Sequence, residues 1–327
     1  MRCISRAKSA ALVCVASISL FTGGCIGGKG ATPVTAYELK NYNQDLYQGK
    51  LYAEELCVAQ NDVALEGYTE DTELHSAALF DLTGERVLYS YKAHERLYPA
   101  STTKIMTALL AIENANLDDQ VTISGNADAS SFPADAQVCG LAKGEVWTLR
   151  DLLGALLLYS GNDAATAIAE YVGGSEEAFV NMMNRRAQEL MANGTHFMNP
   201  HGLHDDNHYT TAYDLYLIFN ECIKHEDFVN IIQSEAYTAY YTDVDGNSQE
   251  ALFTPTNLYA QGEVDVPENV TIVGGKTGTT DEAGYCLILM EKDSSDNPYI
   301  SIVMGASEKP VLYEDMTSLI EAIPSGQ

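Results

Sequence analysis

Tyr98-Pro99-Ala100-Ser101-Thr102-Thr103-Lys104 is the stretch on which the reading of the whole chain depends. Its proline closes an extended segment, and Ser101 to Glu113 carry a helical pattern. Residues three apart on a helix share a face, with Cβ atoms roughly 5–6 Å apart, so the Lys104 amine reaches the Ser101 hydroxyl without any distant segment. Such a pair can act as a nucleophile and its base, because a hydroxyl needs an adjacent proton acceptor. A lysine accepts only after losing its own proton. From a free pKa of about 10.4, half-neutral at pH 7 requires a shift of about 3 units, on the order of 4–5 kcal/mol. Desolvation and a nearby cation both push that way, so a second lysine aimed at Lys104 is expected.

S-x-x-K alone is weak evidence. Average composition places about one by chance in a chain this long, and Ser5-Arg6-Ala7-Lys8 is another. S-x-N occurs at Ser124-Gly125-Asn126, Ser160-Gly161-Asn162 and Ser295-Asp296-Asn297. Lys276-Thr277-Gly278 is a full tripeptide, expected by chance in roughly one such chain in ten, and it occurs once. Context then discriminates. Ser5 lies in an export signal, Ser295 follows Lys276 inside a polar turn, and Ser124 ends a short β-like run from Gln120. Ser160 instead closes the apolar run Leu152 to Tyr159, and a second helix opens at Asp163, so its loop is rigidly presented between buried helices. Ser101, Ser160 and Lys276 form the set.

With these residues in place the chain resembles a penicillin-binding protein of the serine-type D-alanyl-D-alanine carboxypeptidase family, whose motif trio is shared with class A β-lactamases. The resemblance covers about Leu74 to Ile320 and extends beyond the trio. It includes Tyr98 to Leu110, Leu156-Leu-Leu-Tyr-Ser-Gly-Asn-Asp-Ala-Ala, Asn199-Pro-His-Gly-Leu and His208-Tyr-Thr-Thr-Ala-Tyr-Asp-Leu. It implies that Ser101 attacks the carbonyl between two D-alanines, Lys104 takes its proton, and Ser160 relays a proton to the leaving D-alanine. Asn162 would hold Lys104 and the substrate amide. Lys276 would be the second cation, Thr277 and Thr279 would meet the substrate carboxylate, and Gly278 would let the backbone approach the substrate. The N–H groups of Ser101 and Thr279 would form the oxyanion hole, and water would hydrolyse the acyl-enzyme. The implied partners are peptidoglycan stem peptides and β-lactam antibiotics. No cofactor is expected.

The order hairpin, helices, strands implies an α+β fold: an antiparallel sheet of about five strands flanked by helices, with an all-helical lobe inserted between Lys104 and Lys276 and the site between the lobes. Ser76–Asp81 and Arg86–Lys92 read as a hairpin around Leu82-Thr83-Gly84-Glu85. Trp147 to Gly173 supplies the helices flanking Ser160. Ser175 caps a helix that ends at Asn193-Gly194, and Thr211-Ala-Tyr-Asp214 is a capping box. Tyr237 to Phe253 reads as a hairpin about Asp245-Gly246. Thr271–Thr279, Tyr285–Glu291 and Ile300–Ala306 are the closing strands, and Leu312–Ile323 a final helix.

The chain has 327 residues, 46% of them hydrophobic, and a net charge of −28. That charge argues against nucleic acid or anionic lipid as a partner and fits a solvated surface. Ala10 to Phe21 is an apolar run behind Arg2, Arg6 and Lys8, shorter than the roughly 20 residues of a membrane span and suited to an export signal. Gly23-Gly24-Cys25 resembles a lipoprotein cleavage site, with Thr22 where that pattern prefers leucine; Cys25 would then carry a lipid anchor. The expected organisation is an export signal over 1–25, a polar tyrosine-rich spacer over 26–72 and an enzyme domain over 73–327, acting as a monomer at the outer face of the cytoplasmic membrane. Cys57, Cys139, Cys222 and Cys286 are widely scattered and read as free thiols, mostly buried. His196, His201, His204 and His208 sit on a loop whose Pro200, Gly202 and Asp205-Asp206 argue against the aligned ligands a metal needs. Buttressing the active site through hydrogen bonds is the expected role of that loop.

Two departures bear on function. No arginine follows Arg186, where many relatives use one beyond the last strand for the substrate carboxylate; Lys276, Thr277, Thr279 and Lys309 are left for that task. The chain also stops soon after the final helix, so the C-terminal stalk and membrane helix of some relatives are not expected. Two rival readings fit the sequence less well. A class A β-lactamase would add a deacylating glutamate in E-x-x-L-N, and Glu189-Leu190-Met191-Ala192-Asn193 is only an approximation on an ordinary amphipathic helix. A non-catalytic penicillin sensor would be expected to carry a transmembrane or signalling segment, and none is visible.

Overall fold

The central sheet is built from strands that are apolar on both faces. β1 (Ser76–Asp81) is buried throughout, with Ala78 and Phe80 in one core and Ala77 and Leu79 in the other. Alternate residues of a strand point to opposite faces, so a continuous apolar run means that both faces are covered. The computed structural model describes residues 55–65 and 76–324, all within the unit Ala53–Gln327. The expected export signal, Cys25 and most of the tyrosine-rich segment lie outside the described residues.

β1 pairs with β2 (Arg86–Tyr91), and the sheet is completed by β7 (Val270–Thr280), β8 (Gly284–Asp293) and β9 (Pro298–Ala306) in the order β2-β1-β9-β8-β7, every pair antiparallel. This is the expected α+β sheet of five strands, and β7 is its outer strand. One face packs on α8 (Lys309–Glu321) through Leu312, Met316, Leu319 and Ile320. The other faces α1 (Lys104–Asn114) and α5 (Ala212–Cys222) through Phe80, Ile288, Ile302 and Met304. The segment Glu55–Leu65 joins the same unit: Cys57 is fully buried, its N–H donates to Tyr216 Oη at 2.9 Å, and Val63 bridges to Ser90.

The inserted lobe holds α2 (Leu149–Gly154), which runs on as a π-helical turn over Ala155–Tyr159, then α3 (Asn162–Gly173), α4 (Glu176–Glu189), α5, and α6 (Glu226–Ile232). The short α7 (Leu258–Gln261) follows it. The lobe is not all-helical, which corrects the expectation above. β3 (Gln120–Thr122), β4 (Val146–Thr148), β5 (Tyr237–Thr242) and β6 (Ser248–Phe253) form a second antiparallel sheet in that order. Two of its strands have only three residues each, too few to show an alternation. Their pairing is secured by side chains: Trp147 stacks on Tyr241 with centroids 4.2 Å apart.

Caps appear where the sequence places them. Ser175 accepts from Ala178 N and Thr211 from Asp214 N. The Asp214 carboxylate is also drawn away from a purely local box, since it accepts a hydrogen bond from Thr195 Oγ1 at 2.7 Å. α4 ends at Glu189 rather than reaching Asn193-Gly194, with Met191 taking a left-handed φ of 63°. Cys57, Cys139, Cys222 and Cys286 are free thiols, and Cys139 alone of the four is not fully enclosed.

Candidate active site

Ser101 does not lie in the α-helix proper but in a tight 3-10 turn, Ala100–Thr103, that leads into α1. Ala100 takes φ +47°, a conformation uncommon for a residue with a Cβ. Two hydroxyls close the turn: Thr102 Oγ1 donates to Pro99 O at 2.7 Å and Thr103 Oγ1 to Ala100 O at 2.8 Å. Outside it lies the Asn199-Pro200-His201-Gly202-Leu203 loop. At Gly202, with φ +88°, any Cβ would collide with Ala100 O, so only glycine permits this approach.

Lys104 Nζ is fully buried and lies 2.9 Å from Ser101 Oγ, 2.7 Å from Asn162 Oδ1 and 2.6 Å from His201 O. Burial holds its pKa well below the ordinary lysine value, and the neighbouring Lys276 charge lowers it further. The second lysine expected to act on Lys104 is therefore at the site. Lys276 Nζ, also buried, donates to Ser160 Oγ at 2.8 Å and to Thr277 O at 2.9 Å; burial lowers its pKa to about 7.

Ser160 ends the π-helical turn with φ 72°, and Gly161 and Asn162 open α3. A Cβ on Gly161 would collide with Cys139 Sγ, so the turn is pressed against the loop before β4. That loop also accepts the Asn162 N–H through Gln137 O at 2.8 Å. From the opposite side, β7 brings Gly278 against the nucleophile turn, where a Cβ would come 2.9 Å from Pro99 O and 3.1 Å from Ser101 N.

Ser101, Ser160, Asn162, Thr277, Gly278 and Thr279 thus line one cleft of about 910 Å³ between the sheet and the inserted lobe. Lys104 and Lys276 are buried and meet it through Ser101 Oγ and Ser160 Oγ. Lys309, at the start of α8, and Tyr285 lie on its wall. Glu189 is not among the lining residues and sits 3.4 Å from Arg186.

Of the four loop histidines, two hold the site by hydrogen bonds. His208 Nε2 lies 2.8 Å from Thr103 Oγ1, and His201 contributes its carbonyl to Lys104. Burial lowers the pKa of His208 to about 4 and of His201 to about 3, so both are neutral near pH 7. His196 Nδ1 is 2.7 Å from Asn207 O, and His204 lies by Asp206 and Glu282.

Several participants escaped the sequence reading. The His201 carbonyl carries no side-chain signal. Thr256 Oγ1 meets Thr277 Oγ1 at 2.6 Å, across a separation of 21 residues. Gln137 and Cys139 reach the Ser160 turn from an irregular loop. Asp163 stood beside a recognised motif and could have been singled out by that adjacency.

A serine beside a buried lysine, a second serine on a second lysine, and a cleft between a five-stranded sheet and a largely helical lobe place the molecule among proteins of the DD-peptidase and transpeptidase fold. The crystal structure of the Streptomyces K15 DD-transpeptidase superposes with a TM-score of 0.71 and 28% identity, over 78% of this chain and 98% of that one. Penicillin binding protein 5 from Haemophilus influenzae superposes with a TM-score of 0.68 and 27% identity, over 78% and 72%. Residues 64–308 match the D-alanyl-D-alanine carboxypeptidase family model, and the chain belongs to that family. The D-alanyl-D-alanine carboxypeptidase DacF of Bacillus subtilis is 34% identical over 76% of this chain and 61% of its own length. DacC of Escherichia coli is 31% identical over 74% and 59%. The chain thus spans about 60% of the length of these two curated relatives.

Proposed function

We propose that the protein is a serine-type D-Ala-D-Ala carboxypeptidase that trims the terminal D-alanine from peptidoglycan stem peptides. The observation that carries this reading is the environment of the Lys104 amine. A neutral amine has two N–H bonds and one lone pair. The carbonyl oxygens of Asn162 and His201 account for two donors, which leaves the lone pair for the proton of Ser101 Oγ at 2.9 Å.

In the proposed reaction the Ser101 proton passes to Lys104 as Oγ bonds to the carbonyl carbon between the two D-alanines. The N–H groups of Ser101 and Thr279 receive the oxyanion. The proton taken up by Lys104 passes through Ser160, which Lys276 holds, to the leaving nitrogen, and the C–N bond breaks to release D-alanine. Water then cleaves the Ser101 ester. Lys276, Thr277 and Thr279 hold the substrate carboxylate, with Lys309 on the same wall, and Gly278 keeps β7 close to the nucleophile. Penicillin, which presents a comparable amide and carboxylate, acylates the same serine.

The exported location and the anchor rest on sequence. An apolar leader ends at Gly23-Gly24-Cys25, and lipid on Cys25 would hold a monomeric enzyme at the outer face of the cytoplasmic membrane. Among the described residues no helix is long and apolar enough to cross a membrane. Release of D-alanine from a peptide ending in D-Ala-D-Ala, with Ser101→Ala as control, tests the activity. D-alanine release equal in parent and variant would refute it.

A further inference from the structure

Asp163 is a fully buried carboxylate with no lysine or arginine bonded to it among the described residues. Its oxygens accept four backbone N–H groups: Oδ1 from Cys139 and Ala164, each at 2.9 Å, and Oδ2 from Gly140 at 2.9 Å and Leu141 at 3.0 Å. Three of these donors belong to the loop before β4 and one to α3. The same loop accepts the Asn162 N–H through Gln137 O at 2.8 Å, and Gln137 Nε2 donates to Tyr159 O at 3.2 Å. Its Cys139 Sγ also occupies the space beside Gly161. The Ser160 turn, with its left-handed serine, is thus gripped on both sides by a loop that Asp163 ties down.

We propose that Asp163 is a positioning residue for the serine chemistry: it clamps residues 137–141 onto the Ser160-Gly161-Asn162 turn and sets a buried carboxylate against the Lys104 amine. This rests on the carboxypeptidase reading. The charge acts on Lys104 in the direction opposite to Lys276, raising its pKa where burial and Lys276 lower it. The other titratable groups acting on or beside Lys104 are Cys139, whose thiol burial pushes well up, and the neutral His201 and His208. Asp163 is the carboxylate among them. It limits how far the Lys104 amine is driven toward neutrality while it holds the loop that presents Ser160.

The test is Asp163→Asn in the full chain. An asparagine keeps the size but loses the charge and turns an N–H₂ group toward backbone donors. Acylation by a fluorescent penicillin is followed from pH 5 to 10, together with D-alanine release. The proposal expects the plateau rate to fall about tenfold or more as Ser160 and Asn162 lose their placement. It also expects the acid limb to move down by about half a pH unit or more, because Lys104 loses its anion. A lowered plateau with an unmoved limb would reduce Asp163 to a structural group and overturn the proposal, as would a rate within about twofold of the parent. Should the variant not fold, amide hydrogen exchange in the parent decides. Slow exchange at Cys139, Gly140 and Leu141 supports the clamp, whereas rates typical of an exposed loop overturn it. Failure of the carboxypeptidase reading shows separately, as a parent protein that neither releases D-alanine nor is acylated at Ser101.

Discussion

Lys104 can take the Ser101 proton only in the fraction of molecules in which it is neutral, and burial and the adjacent Lys276 charge both raise that fraction. Replacing Lys276 by glutamine removes the charge but not the burial. The Lys104 pKa then rises, and its neutral fraction at pH 7 falls. At pH 9.5 more of the amine is neutral in both proteins, so the lost charge matters less. Acylation by penicillin in Lys276→Gln should therefore drop more at pH 7 than at pH 9.5, read as the second-order rate constant at each pH. An equal loss at both would leave Lys276 only the task of meeting the substrate carboxylate. At this scale the sequence was most legible. Lys104 and Ser101 are three apart and needed nothing distant, and the demand for a second cation led to Lys276. The His201 carbonyl, the Thr256 hydroxyl and the Gln137 carbonyl were invisible, because backbone groups and long-range contacts leave no local pattern.

At the scale of elements, the outer strand β7 is pressed against the nucleophile turn through Gly278. A methyl there meets backbone atoms, Pro99 O and Ser101 N, which cannot swing aside as a side chain could. Gly278→Ala should leave the fold standing and lower the acylation rate by about tenfold or more, since a displacement of about 1 Å is enough to cost that much. Acylation within twofold of the parent would show that β7 need not lie so close. β8 carries a different tension. Glu291 is fully buried in it, and burial pushes its carboxyl up to about 8 from an ordinary 4.5. Between those values the folded protein keeps a proton that the unfolded chain has released. Stability therefore falls as pH rises through that window, and the loss is complete above pH 8. Glu291→Gln should melt close to the parent at pH 4 and clearly higher at pH 9; a difference in melting temperature that does not change with pH would contradict this.

The long strands and caps were readable because periodicity and polar caps are local signals. Of the second sheet, the β-like run from Gln120 and the hairpin over Tyr237 to Phe253 were legible, but β4 and the joining of these strands were not, because β4 is three residues long and pairs with β3 across more than twenty residues. The 3-10 turn at Ala100–Thr103 likewise carries the sequence pattern of an ordinary helix. Its left-handed Ala100 lies against the Gly202 loop, a tertiary contact that no local pattern announces.

For the molecule as a whole, the proposed function makes the partition between peptide and penicillin depend on what remains after acylation. Free D-alanine diffuses away and admits water, while the opened penicillin ring stays attached. Glu189, the nearest approach to a deacylating glutamate, lies outside the cleft. The protein from Gly30 onward should release D-alanine readily and turn over penicillin slowly; rapid penicillin hydrolysis with no D-alanine would indicate a β-lactamase. Cys25→Ser in the producing cell should release the protein from the membrane or leave an uncleaved precursor, and normal processing and retention of that variant would rule out the lipid.

The central claim is that Ser101 is the nucleophile, activated by Lys104. It is tested most directly by intact mass after brief incubation with a labelled penicillin, followed by peptide mapping. One adduct per chain, mapping to Ser101 and lost in Ser101→Ala, is the predicted result. An adduct on Ser160, on Ser124 or on any other residue, or labelling that survives Ser101→Ala, would contradict it.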